Sequence, residues 1–201
     1  MCSQGGISWR EIMGKKPLTK KQIQQLRKIV KDNPLHELLL NLGIDLMLRS
    51  SDLRNLKVSD VINPSGIVKD SVSVKQIKTG KKTLAMPLMD TSKTAIAKHL
   101  SNKSQDDFIF SGNKSHYTKQ PISTQQYSRI VKSWMRKLGL EDVNEFSTHS
   151  IRKSKASIIY KSTHDVDAIR RLLGQSSIIA TSAYLGVTDN SALELAKSIN
   201  L

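Results

Sequence analysis

The residues best suited to chemistry lie in one stretch near the end of the chain, residues 148–184. His149 and Arg152 stand three residues apart, a Leu-Leu-Gly-Gln turn ends at Gln175, and Tyr184 follows nine residues after that glutamine. Basic and polar groups that lead to a single tyrosine are what a site that cleaves a phosphodiester would need. The stretch therefore predicts chemistry on DNA.

Cleavage of DNA without a metal needs several roles, and the chain has a candidate for each. The reaction requires an oxygen nucleophile, a group that takes its proton, cations on the non-bridging oxygens and an acid for the leaving oxygen. In that order, the candidates are Tyr184, His149, Arg49 with Arg152, and Lys78. Each alone has an ordinary alternative: a core or surface tyrosine, a hydrogen-bonded helix histidine, or a surface arginine whose stem covers an apolar edge.

Composition supports a nucleic-acid partner. The 201 residues include 32 Lys and Arg against 17 Asp and Glu, which gives a formal net charge of +15 at pH 7. Such an excess is typical of a protein that binds a polyanion, with nucleic acid the leading candidate and an anionic membrane surface the competitor. No basic amphipathic helix dominates, so nucleic acid is favoured, although charge alone also fits a solvated cationic surface.

Cysteine, histidine and targeting patterns exclude several classes of protein. The single cysteine, Cys2, rules out a disulfide framework and a Cys-rich zinc site, and none of the five histidines forms a His-x-x-x-His pair, so no metal site is expected. The first twenty residues contain no apolar run suited to a signal peptide, and no stretch of eighteen apolar residues could cross a bilayer. These patterns predict a cytoplasmic protein that does not bind membranes.

The elements that must position these residues begin with two helices. Residues 19–22 fit a capping box, and apolar residues at helical spacing follow as far as an Asn-Pro pair. A second helix is expected at about 35–48, with a broad apolar face in the core. Either Ser50 or Ser51 can then cap a short helix, which puts Arg49 at a rigid junction.

Apolar residues then alternate with polar ones on both sides of Thr79-Gly80, which predicts an antiparallel hairpin. Lys78 is expected on its ascending arm, with Lys81 and Lys82 just past the turn. A lysine that a strand holds beside a phosphate could donate a proton to a leaving oxygen, although a basic hairpin tip often serves only solubility.

A helix that begins at a second capping box, residues 123–126, offers another surface for nucleic acid. Its apolar residues face one way, and Gln125 and Arg129 lie on the opposite side. That polar side could enter a DNA groove, but for any one residue an ordinary solvated face is the simpler interpretation.

The stretch of residues 148–184 is itself predicted to contain two helices and a turn. Thr148 is expected to cap a helix that carries His149 and Arg152 on one face near its N-terminus, where the helix dipole favours an anion. A helix over residues 165–173 ends at a glycine and leaves Gln175 on the turn.

The pattern predicts a mainly α-helical fold with one small antiparallel β-sheet in the first half, an α+β architecture. Residues 1–17 are interpreted as a leader or linker remnant, residues 18–186 as a catalytic domain and residues 187–201 as a C-terminal helical tail.

The ordered motifs resemble those of the tyrosine recombinases, the phage-integrase family. They are Leu48-Arg49-Ser50-Ser51-Asp52-Leu53 with Leu56, the Lys78-Thr79-Gly80 hairpin, Thr148-His149-Ser150-Ile151-Arg152, Leu172-Leu173-Gly174-Gln175, and Thr181 with Tyr184. Together they cover roughly residues 18–186. The ordered set is specific, whereas a lone His-x-x-Arg would be weak evidence.

The resemblance implies a mechanism. Tyr184 would attack the scissile phosphate to form a 3′-phosphotyrosyl link and release a 5′-hydroxyl, and the 5′-hydroxyl of a second strand would reverse the step. Arg49 and Arg152 would clamp the phosphate, His149 would accept the tyrosine proton, and Lys78 would protonate the leaving oxygen. The phosphotyrosine stores the bond energy, so no cofactor, neither ATP nor metal, is implied.

The resemblance also implies partners. These are double-stranded DNA and other copies of the chain, because recombination needs four protomers on two duplexes. A terminal helix within residues 187–201 would dock on a neighbouring subunit, and little assembly is expected without DNA.

Two features depart from the family pattern. Gln175 stands where the family usually has a second histidine or a tryptophan. An amide can donate a hydrogen bond to a phosphate oxygen but cannot carry charge or shuttle a proton, so slower but surviving cleavage is expected. Residues 1–17 are too few for the helical core-binding domain of many integrases, so the chain is a fragment or a short member whose hold on DNA depends heavily on phosphate contacts.

Two other functions are compatible with the sequence. Residues 165–185 also fit a helix-turn-helix regulator that binds DNA without cutting it, although this leaves Arg49, Lys78 and the His149–Arg152 pair without a role. A type IB topoisomerase would share the chemistry and relax supercoils without a specific site.

Overall fold

The computed structural model describes residues 15–112 and 119–188 and, beyond them, only residues 190, 193, 196 and 197. Helices α1 (Lys20–Val30), α2 (Pro34–Leu46), α3 (Ser50–Arg54) and α4 (Val58–Val61) precede strands β1 (Ser71–Val72) and β2 (Met86–Pro87). Helices α5 (Asp90–Leu100), α6 (Thr124–Lys137), α7 (Thr148–Thr163), α8 (Val166–Leu172) and α9 (Ile178–Leu185) follow. The predicted fold class, mainly α with a small antiparallel sheet, is confirmed.

Helix α2 forms the centre of the core. Its residues 38–46 are all buried, including Asn41 and Asp45, so burial extends beyond the predicted broad apolar face, and the helix packs against α5 and α7. The Asn-Pro pair separates α1 from α2 because Asn33 caps α2, its Oδ1 accepting a hydrogen bond from the N–H of His36 at 3.0 Å, and Pro34 occupies the first helical position. Helix α2 ends at Leu46, and only Met47 and Leu48 separate it from Arg49.

The caps of the two helices at the site differ from the predicted ones. Arg49 itself occupies the N-cap of α3 and no side chain caps that helix, so the predicted serine cap is wrong: Ser50 is already helical. Helix α7 is capped by Ser147 rather than by Thr148. The Ser147 hydroxyl accepts from the N–H of His149 at 3.2 Å, and Ser150 Oγ accepts from the Ser147 N–H at 3.0 Å. Because the Ser150 hydroxyl accepts the N–H of Ser147 and so completes a capping box, the N-cap lies at Ser147, one residue before the predicted one.

The hairpin is present, and its strands pair in antiparallel register, Ser71 with Pro87 and Val72 with Met86. Beyond these strands, the ladder continues only through an isolated bridge between Lys75 and Lys82. The Gln76 carbonyl accepts from the Gly80 N–H at 2.8 Å, and this bond closes the turn. Lys78 therefore lies on the exposed turn and not on the ascending arm, which corrects the predicted position.

The predicted leader and tail fall mostly on residues 1–14 and 189–201, which lie outside the described residues except for the single positions named above. Residues 15–17 are attached to the domain: the Lys16 N–H donates to the Glu145 carbonyl at 2.9 Å, and Lys15 Nζ donates to the Asn144 carbonyl at 2.7 Å. No helix within the described residues is long and apolar enough to span a membrane.

Candidate active site

Two arginines form the cationic centre of the site. Arg49, half-buried between α2 and α3, donates from Nη1 to Gln76 Oε1 at 2.7 Å. Arg152, on the first turns of α7, is only 5% exposed and donates from Nη2 to the carbonyl oxygen of Leu173 at 2.7 Å. Burial lowers the pKa of the Arg152 guanidinium and Tyr184 partly opposes that shift, but an arginine stays protonated at neutral pH. Both side chains are therefore cations held by defined acceptors.

His149 lies one residue inside the N-terminus of α7. Partial burial lowers the pKa of its imidazole below the ordinary value of 6.5, and the positive charges of Arg152 and Arg49 lower it further. The ring is consequently neutral at pH 7 and can accept a proton.

Tyr184, in the last turn of α9, points its hydroxyl at the beginning of α7. The hydroxyl lies 3.5 Å from the main-chain carbonyl oxygen of His149, and Lys153 Nζ lies 5.4 Å from the centroid of the tyrosine ring. Burial raises the pKa of the phenol, whereas Arg152 and Arg49 lower it. The phenol is therefore protonated at neutral pH, so it needs a base to become a nucleophile. Because the contact is with the carbonyl of His149 and not with its ring, the role of that ring as base stays a prediction.

Gln175 lies on the turn between α8 and α9, as predicted, and is half-buried. Its main-chain N–H donates to the Arg170 carbonyl at 2.9 Å, which fixes the turn. The buried hydroxyl of Thr181 lies 2.6 Å from Gln175 Oε1. The side-chain amide is thus oriented by α9, the helix that also carries Tyr184.

An open cleft of about 430 Å³ separates the hairpin from the α8–α9 turn. Five of the side chains that line it are cationic, namely Arg49, Lys81, Lys82, Arg170 and Arg171. Asp167 pairs with Arg170 and with Arg171, at 2.7 Å in each case, and these two bonds lower the pKa of its carboxyl group. Positive charge nonetheless exceeds negative charge along the walls, so the cleft suits an anion such as a DNA phosphate.

Of the predicted residues, Arg49, Lys81, Lys82 and Gln175 line this cleft, whereas His149, Arg152 and Tyr184 do not. Lys78 is exposed on the hairpin turn and, unlike Lys81 and Lys82, is not among the described residues that line it. Gln125 and Arg129 are exposed on α6, and neither lines the cleft in the part of the chain that the structure describes.

The N-terminus of α6 is nevertheless tied to the arginine-bearing segment. Arg54 of α3 donates to the carbonyl of Ile122 at 2.5 Å and to Thr124 Oγ1 at 3.0 Å. The polar face of α6 therefore begins beside the helix that Arg49 precedes.

Several residues of the site were not predicted from the sequence. Gln76 and Lys153 are 3% and 6% exposed, and no local pattern distinguishes a polar residue that long-range contacts will bury. Arg170 and Arg171 directly precede the Leu-Leu-Gly-Gln motif, which is a signal that could have identified them. Residues 15–112 and 119–188 contain no group of three or more His, Cys, Asp or Glu side chains that could bind a metal ion.

Comparison with known proteins places the chain in a family. The model of the phage integrase family matches residues 16–191. The probable integrase/recombinase YoeC of Bacillus subtilis is 29% identical over 179 residues, which cover 84% of this chain and 92% of YoeC. The tyrosine recombinase XerA of Pyrococcus furiosus is 27% identical over 187 residues, and the match covers 92% of this chain but 62% of that protein.

Solved structures share the fold. A crystal structure of XerA recombinase superposes with a TM-score of 0.72 at 18% identity, covering 92% of this chain and 65% of that one. A lambda integrase dimer bound to a core site superposes with a TM-score of 0.58 at 23% identity, covering 85% of this chain and 59% of that one. The fold and the family match agree, and the chain therefore belongs to the phage integrase family and has the catalytic-domain fold of the tyrosine recombinases.

Proposed function

We propose that this chain is a site-specific recombinase that cleaves and rejoins double-stranded DNA through a 3′-phosphotyrosyl intermediate. The observation that carries the proposal is the position of Tyr184, whose hydroxyl meets the first turn of α7 where His149 and Arg152 lie. Both Arg152 and Arg49 are close enough to shift the pKa of the phenol. A tyrosine hydroxyl near two arginines that can bind a phosphate is suited to act as the nucleophile on that phosphate.

Phosphate binding is the first step. Arg49 uses Nη1 for Gln76 and Arg152 uses Nη2 for Leu173, so each guanidinium has further N–H groups for the non-bridging oxygens. Charge-assisted bonds of this kind strengthen as negative charge grows on the phosphate in the transition state. Gln175 can add a neutral donor from Nε2.

Cleavage transfers the phosphorus from one oxygen to another. The Tyr184 oxygen forms a bond to phosphorus while the bond from phosphorus to the 5′-oxygen breaks. The phenolic proton goes to the neutral imidazole of His149, and Lys78 gives a proton to the departing 5′-oxygen. The products are a 3′-phosphotyrosine and a 5′-hydroxyl, and attack by the 5′-hydroxyl of another strand reverses the step without ATP.

The partners follow from this reaction. Exchange between two duplexes requires four active sites, so the working assembly is a homotetramer on DNA, acting in the cytoplasm. XerH, which shares the fold, has been crystallised on its difH substrate before and after cleavage. A regulator that only binds DNA would have no use for a tyrosine hydroxyl set against the helix turn that carries His149 and Arg152, and the family match favours a recombinase over a topoisomerase.

The decisive experiment compares the wild-type chain with Tyr184→Phe. Covalent adducts trapped on the DNA of the source cell, with their ends sequenced, identify the site, and a nicked suicide duplex containing that site then measures cleavage. We expect a detergent-resistant adduct with the wild-type chain and none with Tyr184→Phe, at equal DNA affinity. If both proteins bind DNA and the wild-type chain yields no covalent adduct on the DNA of the source cell, the chain is a DNA-binding regulator.

A further inference from the structure

Gln76 links more parts of the site than any of the residues predicted to act in it. It lies at the base of the hairpin turn and is 3% exposed. Its N–H donates to the Lys81 carbonyl at 2.9 Å, and its own carbonyl accepts from the Gly80 N–H at 2.8 Å. The main chain of Gln76 therefore closes the turn that carries Lys78.

The side chain of Gln76 joins this turn to Arg49. Its Oε1 accepts from Arg49 Nη1 at 2.7 Å and from Thr79 Oγ1 at 2.8 Å. Because a guanidinium can only donate, the atom that faces it must be the amide oxygen, and that oxygen has two lone pairs, one for each donor. The orientation of the amide is thus fixed by its partners.

The opposite side of the amide meets the α8–α9 turn. Gly174 has no side chain, and a Cβ placed on it would lie 2.5 Å from Gln76 Nε2. The preceding residue, Leu173, accepts the hydrogen bond from Arg152. The Gln76 amide is therefore packed between the guanidinium of Arg49 and the turn to which Arg152 and Gln175 are attached.

We propose that Gln76 is a positioning residue that assembles the active site, because its amide holds Arg49 and the turn bearing Lys78 against the α8–α9 turn. Lys78 is flanked by two anchored neighbours: Thr79 bonds to Gln76, and the Ile77 N–H donates to Asp52 Oδ1 at 2.9 Å. The main chain on either side of the exposed lysine is thereby anchored. Arg49, oriented through Nη1, keeps its other N–H groups for the phosphate.

This inference rests on the proposed function, and the test separates the two. Cleavage is measured in single turnover at saturating DNA on two suicide duplexes, one with the ordinary 5′-oxygen at the scissile bond and one with sulfur in its place. A thiolate leaves without being protonated, since a thiol is far more acidic than an alcohol, so the sulfur duplex bypasses the acid. Lys78→Ala gives the reference response to loss of the acid.

Gln76→Met keeps the length of the side chain and removes the acceptor. We expect it to slow cleavage of the oxygen duplex by about 10- to 100-fold, the size of effect that misplacement by about 1 Å produces. On the sulfur duplex, the loss of cleavage rate relative to wild type should be about tenfold smaller. The affinity for DNA should stay within about threefold of the wild-type value. Ile77→Ala, which removes an exposed side chain from the same turn and keeps the bond to Asp52, should cleave both duplexes at the wild-type rate.

Thr79→Val provides a second variant, because this exposed residue loses only its hydroxyl. We expect a defect of about three- to tenfold that the sulfur duplex also relieves. Cleavage of the oxygen duplex within about twofold of the wild-type rate by both variants would show that Gln76 does not position the acid. The same conclusion follows if each variant is slowed equally on both duplexes while sulfur restores cleavage by Lys78→Ala. A wild-type chain that forms no adduct refutes the proposed function instead.

Discussion

Gln175 cannot carry a charge, so the contribution to catalysis that we propose for it depends on the orientation of its amide. The Thr181 hydroxyl has one proton and lies near two acceptors, Gln175 Oε1 at 2.6 Å and the Ser177 carbonyl at 2.9 Å. When the proton goes to Oε1, Nε2 is left on the other side of the amide as a donor. An anion in the cleft favours this arrangement, because the reversed amide would direct its oxygen at the phosphate.

Thr181 and Gln175 should therefore act as one unit. We expect Gln175→Ala to lower the cleavage rate about tenfold, the equivalent of one hydrogen bond to a charged group at roughly 1.5 kcal/mol, and Thr181→Val, which keeps the shape, to lower it about threefold. The double variant should cleave no more slowly than Gln175→Ala alone, since the hydroxyl acts through the amide. Losses that simply multiply in single-turnover measurements would show that the two residues act independently.

The candidate residues could be named from the sequence because their types and order match the family pattern, and the fold brings Tyr184, His149 and both arginines within electrostatic reach of one another. Their catalytic roles stay predictions. Which atoms meet could not be predicted. The Tyr184 hydroxyl contacts a carbonyl and not an imidazole, and this depends on how α9 packs on α7, a long-range property.

Among the elements, the turn between α8 and α9 is held from both sides. Arg152 bonds to the Leu173 carbonyl on one side, and the Gln76 amide packs against Gly174 on the other. Gly174 also has φ +60°, a conformation that favours glycine. Contacts therefore connect this turn to Arg152 directly and to Arg49 through Gln76.

Gly174→Ala tests this restraint, with Gly139→Ala as the matched control. Gly139 follows α6 with φ +71° and has nothing within 4 Å of a Cβ placed on it. Both variants should lose about 1 kcal/mol in the free energy of unfolding because of the left-handed backbone. Only Gly174→Ala should also displace the Gln76 amide and slow cleavage about tenfold or more. Equal cleavage rates for the two variants, measured alongside urea denaturation, would mean that the amide can move without consequence.

The existence of the helices and of the hairpin could be predicted from local sequence signals. The exact residues at which these elements begin and end could not. The Thr19 capping box consists of local hydrogen bonds between neighbours in sequence, so the pattern suffices to predict it. Ser147 and Thr148 are adjacent and chemically similar, and the choice between them depends on Ser150. The hairpin arm ends at Gln76, whose carbonyl accepts the Gly80 N–H and whose side-chain amide accepts a hydrogen bond from Arg49. Lys78 consequently lies on the turn.

For the whole molecule, the match to the XerA relative spans 62% of that protein's length, and the property that concerns the whole surface is the affinity of this chain for DNA. Within the described residues, one cleft collects five cations between the hairpin and the α8–α9 turn. Few aromatic side chains are available for stacking on bases, since they make up 4% of the sequence. Affinity should therefore come mainly from phosphate contacts, which release counterions.

Salt dependence measures those contacts. With about 0.9 counterions released per phosphate contact, the five cleft cations predict that log K falls against log salt with a slope of about −4.5. Replacing Lys81 and Lys82 by glutamine should make this slope less negative by about 2. Binding should weaken for every DNA sequence tested. The same replacement at Lys20 and Lys28 of α1 removes equal charge away from the cleft and should leave the slope unchanged. If the two double variants give the same slope, net charge rather than the cleft determines affinity.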